Sequence, residues 1–184
     1  MLISTDSGAH GITAEARELV LAAQNGDRAA FGNLYSRYMR LVHGVLLARI
    51  PPAEAEDLVQ EVFLLALRKL KGLRDPAAFG GWIASIARNC AADFHRRRTK
   101  PIELTDDLPV DSPKQISELE AKVVLKTIQG LPEAYRETLV LRLVEGMTGP
   151  EIASRTGLSH GSVRVNLHRG MELLREALQK RLQR

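Results

Sequence analysis

The segment from Thr148 to Leu182 constrains this 184-residue chain more than any other. Thr148-Gly-Pro-Glu-Ile-Ala-Ser-Arg-Thr opens with a Thr-x-x-Glu spacing and carries Pro150 in what would be a first helical turn. The threonine hydroxyl can accept an orphan backbone N–H while Glu151 reaches back to the cap. A proline is tolerated there because its missing N–H would have had no partner. Gly157-Leu158-Ser159 then makes a turn, with glycine ending one helix and serine capping the next. The pattern predicts a helix-turn-helix, an arrangement that can seat its second helix in the major groove of DNA.

At 3.6 residues per turn, Val163, Leu167, Gly170, Leu174 and Leu178 fall on one side of that second helix. Gly161, Arg164, Val165, His168 and Arg169 fall on the other, flanked by Ser162 and Asn166. Arg164 and Arg169 suit phosphate oxygens or guanine, Asn166 suits adenine, and Val165 suits a thymine methyl. The same spacing also fits an ordinary amphipathic helix with a solvated basic face. The cap, the turn and the exposed valine together favour DNA.

The length allows one or two domains, and no apolar run is long enough to span a bilayer. The start, Met1-Leu-Ile-Ser-Thr-Asp-Ser-Gly, has an acid where a secretory signal would be basic, so residues 1–12 read as an uncleaved flexible tail of a cytoplasmic protein. Cys90, the single cysteine, excludes an internal disulfide, and the five histidines are scattered. Neither a metal nor a cofactor is expected. The net charge is only +4, so its distribution matters more. His95-Arg-Arg-Arg-Thr-Lys100 is a basic cluster. After it, residues 101–117 hold Glu103, Asp106, Asp107 and Asp111 with Pro101, Pro109 and Pro113 and no helical period. The expected architecture is all-α: a helical domain at 13–100, an acidic, Pro-containing linker at 101–117, and a helix-turn-helix domain at 118–184.

Within 13–100 every pattern is helical. Ala14–Gln24 is one helix, and Asp27 caps the next, whose stripe of Phe31, Leu34, Tyr35, Tyr38, Leu41, Val42, Val45 and Leu46 reads as core. After Pro51-Pro52 a third helix, 53–70, buries Leu58, Val62, Leu65 and Ala66. It projects Glu54, Asp57, Gln60, Glu61 and Arg68 together. That patch is either solvated surface or a docking face for a basic partner. A fourth helix, 76–98, buries Phe79, Ile83, Ile86, Ala87, Cys90 and Phe94, with Ser85, Asn89, Asp93 and Arg96 on a polar arc and Arg88 beside it. Trp82 stands at the seam, where it could stack on an unpaired base or simply cover the core edge.

Three blocks of the first domain, Asp57-Leu-Val-Gln-Glu-Val-Phe63, Phe79-Gly-Gly-Trp-Ile-Ala-Ser-Ile-Ala-Arg-Asn89 and Asp93-Phe-His-Arg-Arg-Arg98, carry a resemblance. So do Leu131-Pro-Glu-Ala-Tyr-Arg136, Glu151-Ile-Ala153 and Val163-Arg-Val-Asn-Leu-His-Arg169 in the second. In this order the chain resembles a bacterial RNA polymerase sigma factor of the extracytoplasmic-function type. The resemblance implies that Asp57, Leu58, Gln60, Glu61 and Phe63 bind core RNA polymerase. It implies that Lys71, Arg74, Trp82, Arg88, Asn89, Asp93, Arg96, Arg97 and Arg98 meet the minus-ten element of promoter DNA. There a flipped base must be held against the few kcal/mol that unstacking costs, while the arginines hold phosphates. Ser159, His160, Gly161, Ser162, Arg164, Val165, Asn166, His168 and Arg169 would meet the minus-thirty-five element. The linker would cross the template and RNA-exit path of the polymerase. An anti-sigma factor is implied as a further partner; a small-molecule substrate is not, nor a membrane span.

The chain also departs from the family pattern. Val163-Arg-Val-Asn-Leu-His-Arg-Gly-Met171 stands where Val-Lys-Ser-Arg-Leu-His-Arg-Ala-Arg is usual. Val165, Asn166 and Met171 thus replace a hydroxyl and two cations, and each lost phosphate contact should flatten the log–log salt dependence by about one unit. Thr148-Gly-Pro replaces a more usual start to the motif. A dimeric helix-turn-helix regulator acting without polymerase is the alternative, though such proteins usually carry an α/β sensing domain. No carboxylate pair, Ser/His/Asp set or metal-ligand spacing points to an enzyme.

Overall fold

A computed structural model describes residues 7–98 and 113–183, which form eight α-helices with no strand among them. The first domain comprises α1 (Ser7–Gln24), α2 (Arg28–Leu47), α3 (Pro52–Lys69) and α4 (Phe79–Arg98), with single 3₁₀ turns at Leu70–Gly72 and Pro76–Ala78. The second comprises α5 (Pro113–Gln129), α6 (Glu133–Leu143), α7 (Gly149–Thr156) and α8 (His160–Leu182).

Two helix starts differ from the sequence-based expectation. α1 begins at Ser7, inside the stretch expected to be a tail, because Gly8 and Gly11 are weak helix formers and hide the extra turns. α5 begins at Pro113, inside the expected linker. A proline there reads as a breaker, yet as the first helical residue it forfeits no hydrogen bond. Residues 99–112, which hold most of that linker, and residues 1–6 lie outside the described residues.

Helix α2 organises the first domain. Asp27 accepts the N–H groups of Ala29 and Ala30 at 2.8 and 3.0 Å, closing its N-terminus as its sequence position predicts. Leu34, Leu41, Val42, Val45 and Leu46 are completely buried against α1, α3 and α4. Each such aliphatic side chain stabilises the fold by about 1.5–3 kcal/mol. The Gln24 amide, at the end of α1, donates to the carbonyls of Leu70 and Leu73 and ties down the connection from α3 to α4.

The second domain packs directly on the first. α6 lies along α2, and the end of α7 meets the start of α4, so one hydrophobic cluster runs through both domains. Gly80 makes the second contact possible: a Cβ there would stand 2.3 Å from the Arg155 carbonyl oxygen, closer than any side chain tolerates. Polar contacts reinforce the seam. The Gln129 amide donates to the carbonyls of Leu47 and Ile50, which closes the C-terminal turn of α2. Arg155 donates to the Arg37 carbonyl at 3.0 Å.

Within the same seam, His43 Nδ1 donates to Glu145 Oε1 at 2.6 Å. Arg40 of α2 also faces Glu145, and Glu56 of α3 lies close enough to act on His43. These residues, with Tyr35, Met39 and Gln60, line a cavity of about 320 Å³. The hydrogen bond to Glu145 outweighs burial and raises the His43 pKa above its ordinary 6.5. The resulting stabilisation is complete below pH 6.5 and is lost as pH rises through the higher folded-state value. Urea midpoints measured across that window should therefore fall with pH in the unaltered chain and fall less in His43→Gln. Equal slopes would show that the pair does not stabilise the fold.

Candidate nucleic-acid and polymerase interfaces

The helix-turn-helix forms through the local chemistry its sequence predicts. Thr148 caps α7: its Oγ1 accepts the Glu151 N–H, and the Glu151 carboxylate accepts both the backbone N–H and the hydroxyl of Thr148 at 2.8 Å. Those two bonds hold the Glu151 carboxyl below the usual range. Gly157 ends α7 in the left-handed region, at φ 77°, where a side chain would be strained. Ser159 caps α8 by accepting the Ser162 N–H at 3.0 Å. Inside the unit, the buried Thr156 hydroxyl donates to the Ile152 carbonyl and accepts the Leu158 N–H, so no polar atom is stranded in the turn.

Helix α8 is thereby fixed with Val163, Gly170 and Leu174 buried and Leu167 and Leu178 half-buried. Gly170 allows α6 to pack close, since a Cβ would come within about 3.0 Å of Leu139. Ser159, His160, Gly161, Ser162, Arg164, Val165, His168 and Arg169 are all exposed, with Asn166 half-buried beside them. Val165, an aliphatic side chain 44% exposed in the middle of this polar face, has no packing role that would explain it. His168 lies 3.5 Å from Glu172, one turn along.

On α3, Asp57, Gln60 and Glu61 are exposed and Leu58 is half-buried. Phe63 is 3% exposed and stacks against Tyr35, with centroids 4.5 Å apart. Phe63, expected among the polymerase-binding residues, is thus buried in this structure, where it supports α3 from beneath. The same face instead presents Leu64 and Leu67, 54% and 49% exposed. Both follow Asp57 and Gln60 at helical spacing, and the signal lies in the run Phe63-Leu-Leu-Ala-Leu67, because one helix cannot bury all of these side chains inward. The α3 face is thus an apolar pair bordered by carboxylates and an amide.

Helix α4 and the connection before it hold the third group. Lys71, Arg74, Asn89, Arg96 and Arg97 are exposed. Arg96 is paired with Asp93 one turn earlier. Trp82 is half-buried, its ring 5.6 Å from Phe79, so it covers the core edge and still shows part of its surface to solvent. Cys90 is buried and its thiol pKa is raised by that burial, as expected of a small core residue. Arg88 differs from the others. Its Nε and Nη2 donate to the two carboxylate oxygens of Glu137 on α6, at 3.0 and 2.7 Å. The Arg98 side chain lies outside the described residues.

Among the described residues no cluster of His, Cys, Asp or Glu could hold a metal ion, and no helix is long and apolar enough to cross a membrane. The capping box generates a prediction. Thr148→Ala should cost about 1 kcal/mol of stability by removing the cap of α7. Thermal and urea unfolding would read this, and an unchanged midpoint would mean that packing alone sets the start of the helix-turn-helix.

Comparison with known proteins agrees with this geometry. Residues 34–100 match the model of Sigma-70 region 2, and residues 121–174 match that of Sigma-70, region 4. The chain is 33% identical to the ECF RNA polymerase sigma-E factor of Haemophilus influenzae, covering 88% of this chain and 94% of that protein. It is 30% identical to the ECF RNA polymerase sigma-E factor of Escherichia coli strain K12, covering 90% and 95%. Among solved structures, CnrH in complex with the cytosolic domain of CnrY superposes with a TM-score of 0.64 at 28% identity, covering 90% of this chain and 98% of that one. A helix-turn-helix with an exposed polar face, joined to a helical domain with its own exposed mixed face, is here matched in order and over nearly full length. The chain belongs to the extracytoplasmic-function RNA polymerase sigma factors.

Proposed function

We propose that the three exposed faces divide the work of a sigma factor as follows. The α3 face, Asp57, Leu58, Gln60 and Glu61 with Leu64 and Leu67, docks on core RNA polymerase. Apolar side chains there bury area while the rim carboxylates select a basic partner and exclude others. Lys71, Arg74, Trp82, Arg88, Asn89, Asp93 and Arg96–Arg98 meet the minus-ten element. Trp82 offers a stacking surface for an extruded base, and the arginines offer charge to phosphates. The first turns of α8 read the minus-thirty-five element in the major groove.

The observation that carries this reading is that the α3 face and the α8 face are both exposed while their domains are packed together. A regulator that acts on DNA alone has no use for the first of them. The working domains are residues 13–100 and 118–184, joined by the acidic linker. The chain itself catalyses nothing; bond formation belongs to the polymerase, and the site of action is the cytoplasm. A structure 28% identical to this chain holds CnrH in complex with the cytosolic domain of CnrY, and a protein partner of the anti-sigma kind is proposed for this chain as well.

Run-off transcription tests the whole reading: defined transcripts should appear only when this chain and core polymerase are both present. Failure across a broad promoter library, together with absence of core binding, would sink it. Asp57→Arg combined with Glu61→Arg tests the docking face. Affinity for core should fall at least tenfold, about 1.4 kcal/mol, while the circular dichroism of the chain and its binding to minus-thirty-five duplexes stay unchanged. Unaltered core affinity would place the docking face elsewhere.

A further inference from the structure

Val165 breaks the chemistry of the face on which it stands. Val163, Gly170 and Leu174 fix the buried side of α8. At ~100° per residue, Val165 points about 160° away from their mean direction, toward solvent. The same outer line carries Gly161 one turn before it and Glu172 two turns after it. The hydroxyls of Ser159 and Ser162 lie 2.8 Å apart and serve the helix cap, while His168 faces Glu172. The outermost groups of the first two turns are therefore a bare backbone and an isopropyl group, with Arg164 and Arg169 to either side.

Gly161 has no explanation inside the chain either. A Cβ there would meet nothing closer than Ser159 Oγ at 3.8 Å, an ordinary contact. Its φ is not in the left-handed region. Alanine would fit and would hold the helix better. Gly170, by contrast, is required by the approach of Leu139. A glycine that weakens its helix and gains no packing serves a surface that approaches from outside. In the major groove that surface is the edge of the bases, and the missing side chain lets the first turn of α8 go deeper. Glu172 limits how far along the helix this extends, because phosphates repel its carboxylate.

A valine at the deepest point can neither donate nor accept a hydrogen bond. Opposite adenine, guanine or cytosine it would strip water from a polar edge and return nothing. Thymine alone offers a methyl group in that groove. We infer that Val165 makes a thymine methyl a requirement of the minus-thirty-five element read by this chain, and that Gly161 provides the depth at which the two meet. The hydroxyl usual at this position would instead accept more than one base. This inference rests on the assignment of α8 to that element made above.

Holoenzyme assembled from the full chain and core polymerase would first select its minus-thirty-five element from a randomised promoter library. Each thymine of the selected duplex is then replaced singly by deoxyuridine, which removes the methyl and nothing else. At one position affinity should fall about fourfold, the effect of one buried methyl group. Val165→Ser, checked for native helicity, should bind the thymine and uracil duplexes equally at that position. Gly161→Ala should unfold at a higher temperature than the parent and yet bind the selected promoter about tenfold more weakly. A merely structural role for Gly161 would move stability and binding together. The inference is overturned if no thymine shows a methyl effect that Val165→Ser abolishes, or if Gly161→Ala binds as the parent does. Run-off transcription from the selected promoters separates the two readings. Transcripts without the methyl effect overturn the inference alone, whereas absence of transcripts overturns the proposed function and the inference with it.

Discussion

The burial of α2 sets the position of every other element. Its inward stripe packs on α1, α3 and α4, and its far flank receives α6 and α7. Leu34, Leu41, Val42, Val45 and Leu46 have no surface left for water. Because protein interiors are close-packed, a shift of this helix would be transmitted to all its neighbours at once. That is why α3 and α4 can each display an exposed face of polar and charged residues on the outer side. Their inner faces are held by a shared partner, so the outer residues need contribute nothing to stability.

Polar chemistry is concentrated at two kinds of place. Helix ends in the second domain are closed by Thr148, Glu151, Gly157 and Ser159, all acting within a few residues of chain. The domain seam is closed by pairs far apart in sequence: His43 with Glu145, Arg49 and Arg88 with Glu137, Gln129 with the end of α2. No buried side-chain nitrogen or oxygen among the described residues lacks a hydrogen-bond partner. The seam therefore incurs no penalty for unpaired polar side chains.

Much of this architecture is legible in the amino-acid sequence. The helix-turn-helix can be read from Thr148 to Ser159 because capping and turn chemistry is local: the atoms that satisfy one another are three or four residues apart. The core stripe of α2 and the polar face of α8 are legible for the same reason, as helical periodicity alone assigns them. Where sequence and structure disagree, the cause is distance along the chain. Phe63 belongs to a block that suggests a docking surface, yet Phe31 and Tyr35 of another helix enclose it. Pro113 reads as a breaker until its place at the start of α5 is seen. The exposure of Leu64 and Leu67 depends on which side of α3 meets α2 and α4, a choice that several adjacent apolar residues leave open.

The sequence by itself determined the helical class, the caps and turn of the helix-turn-helix, the exposed polar face of α8 and the family to which the chain belongs. Each of these rests on residues within a turn or two of one another, or on motif order along the chain. Only the tertiary structure decided that Gly80 admits the backbone of Arg155, that Phe63 lies inside, and that Arg88 is already held by Glu137. The helix pairings behind those facts join segments that lie far apart in the chain. No periodicity or local motif encodes which helix faces will meet; that is settled when burial of apolar surface brings whole helices together.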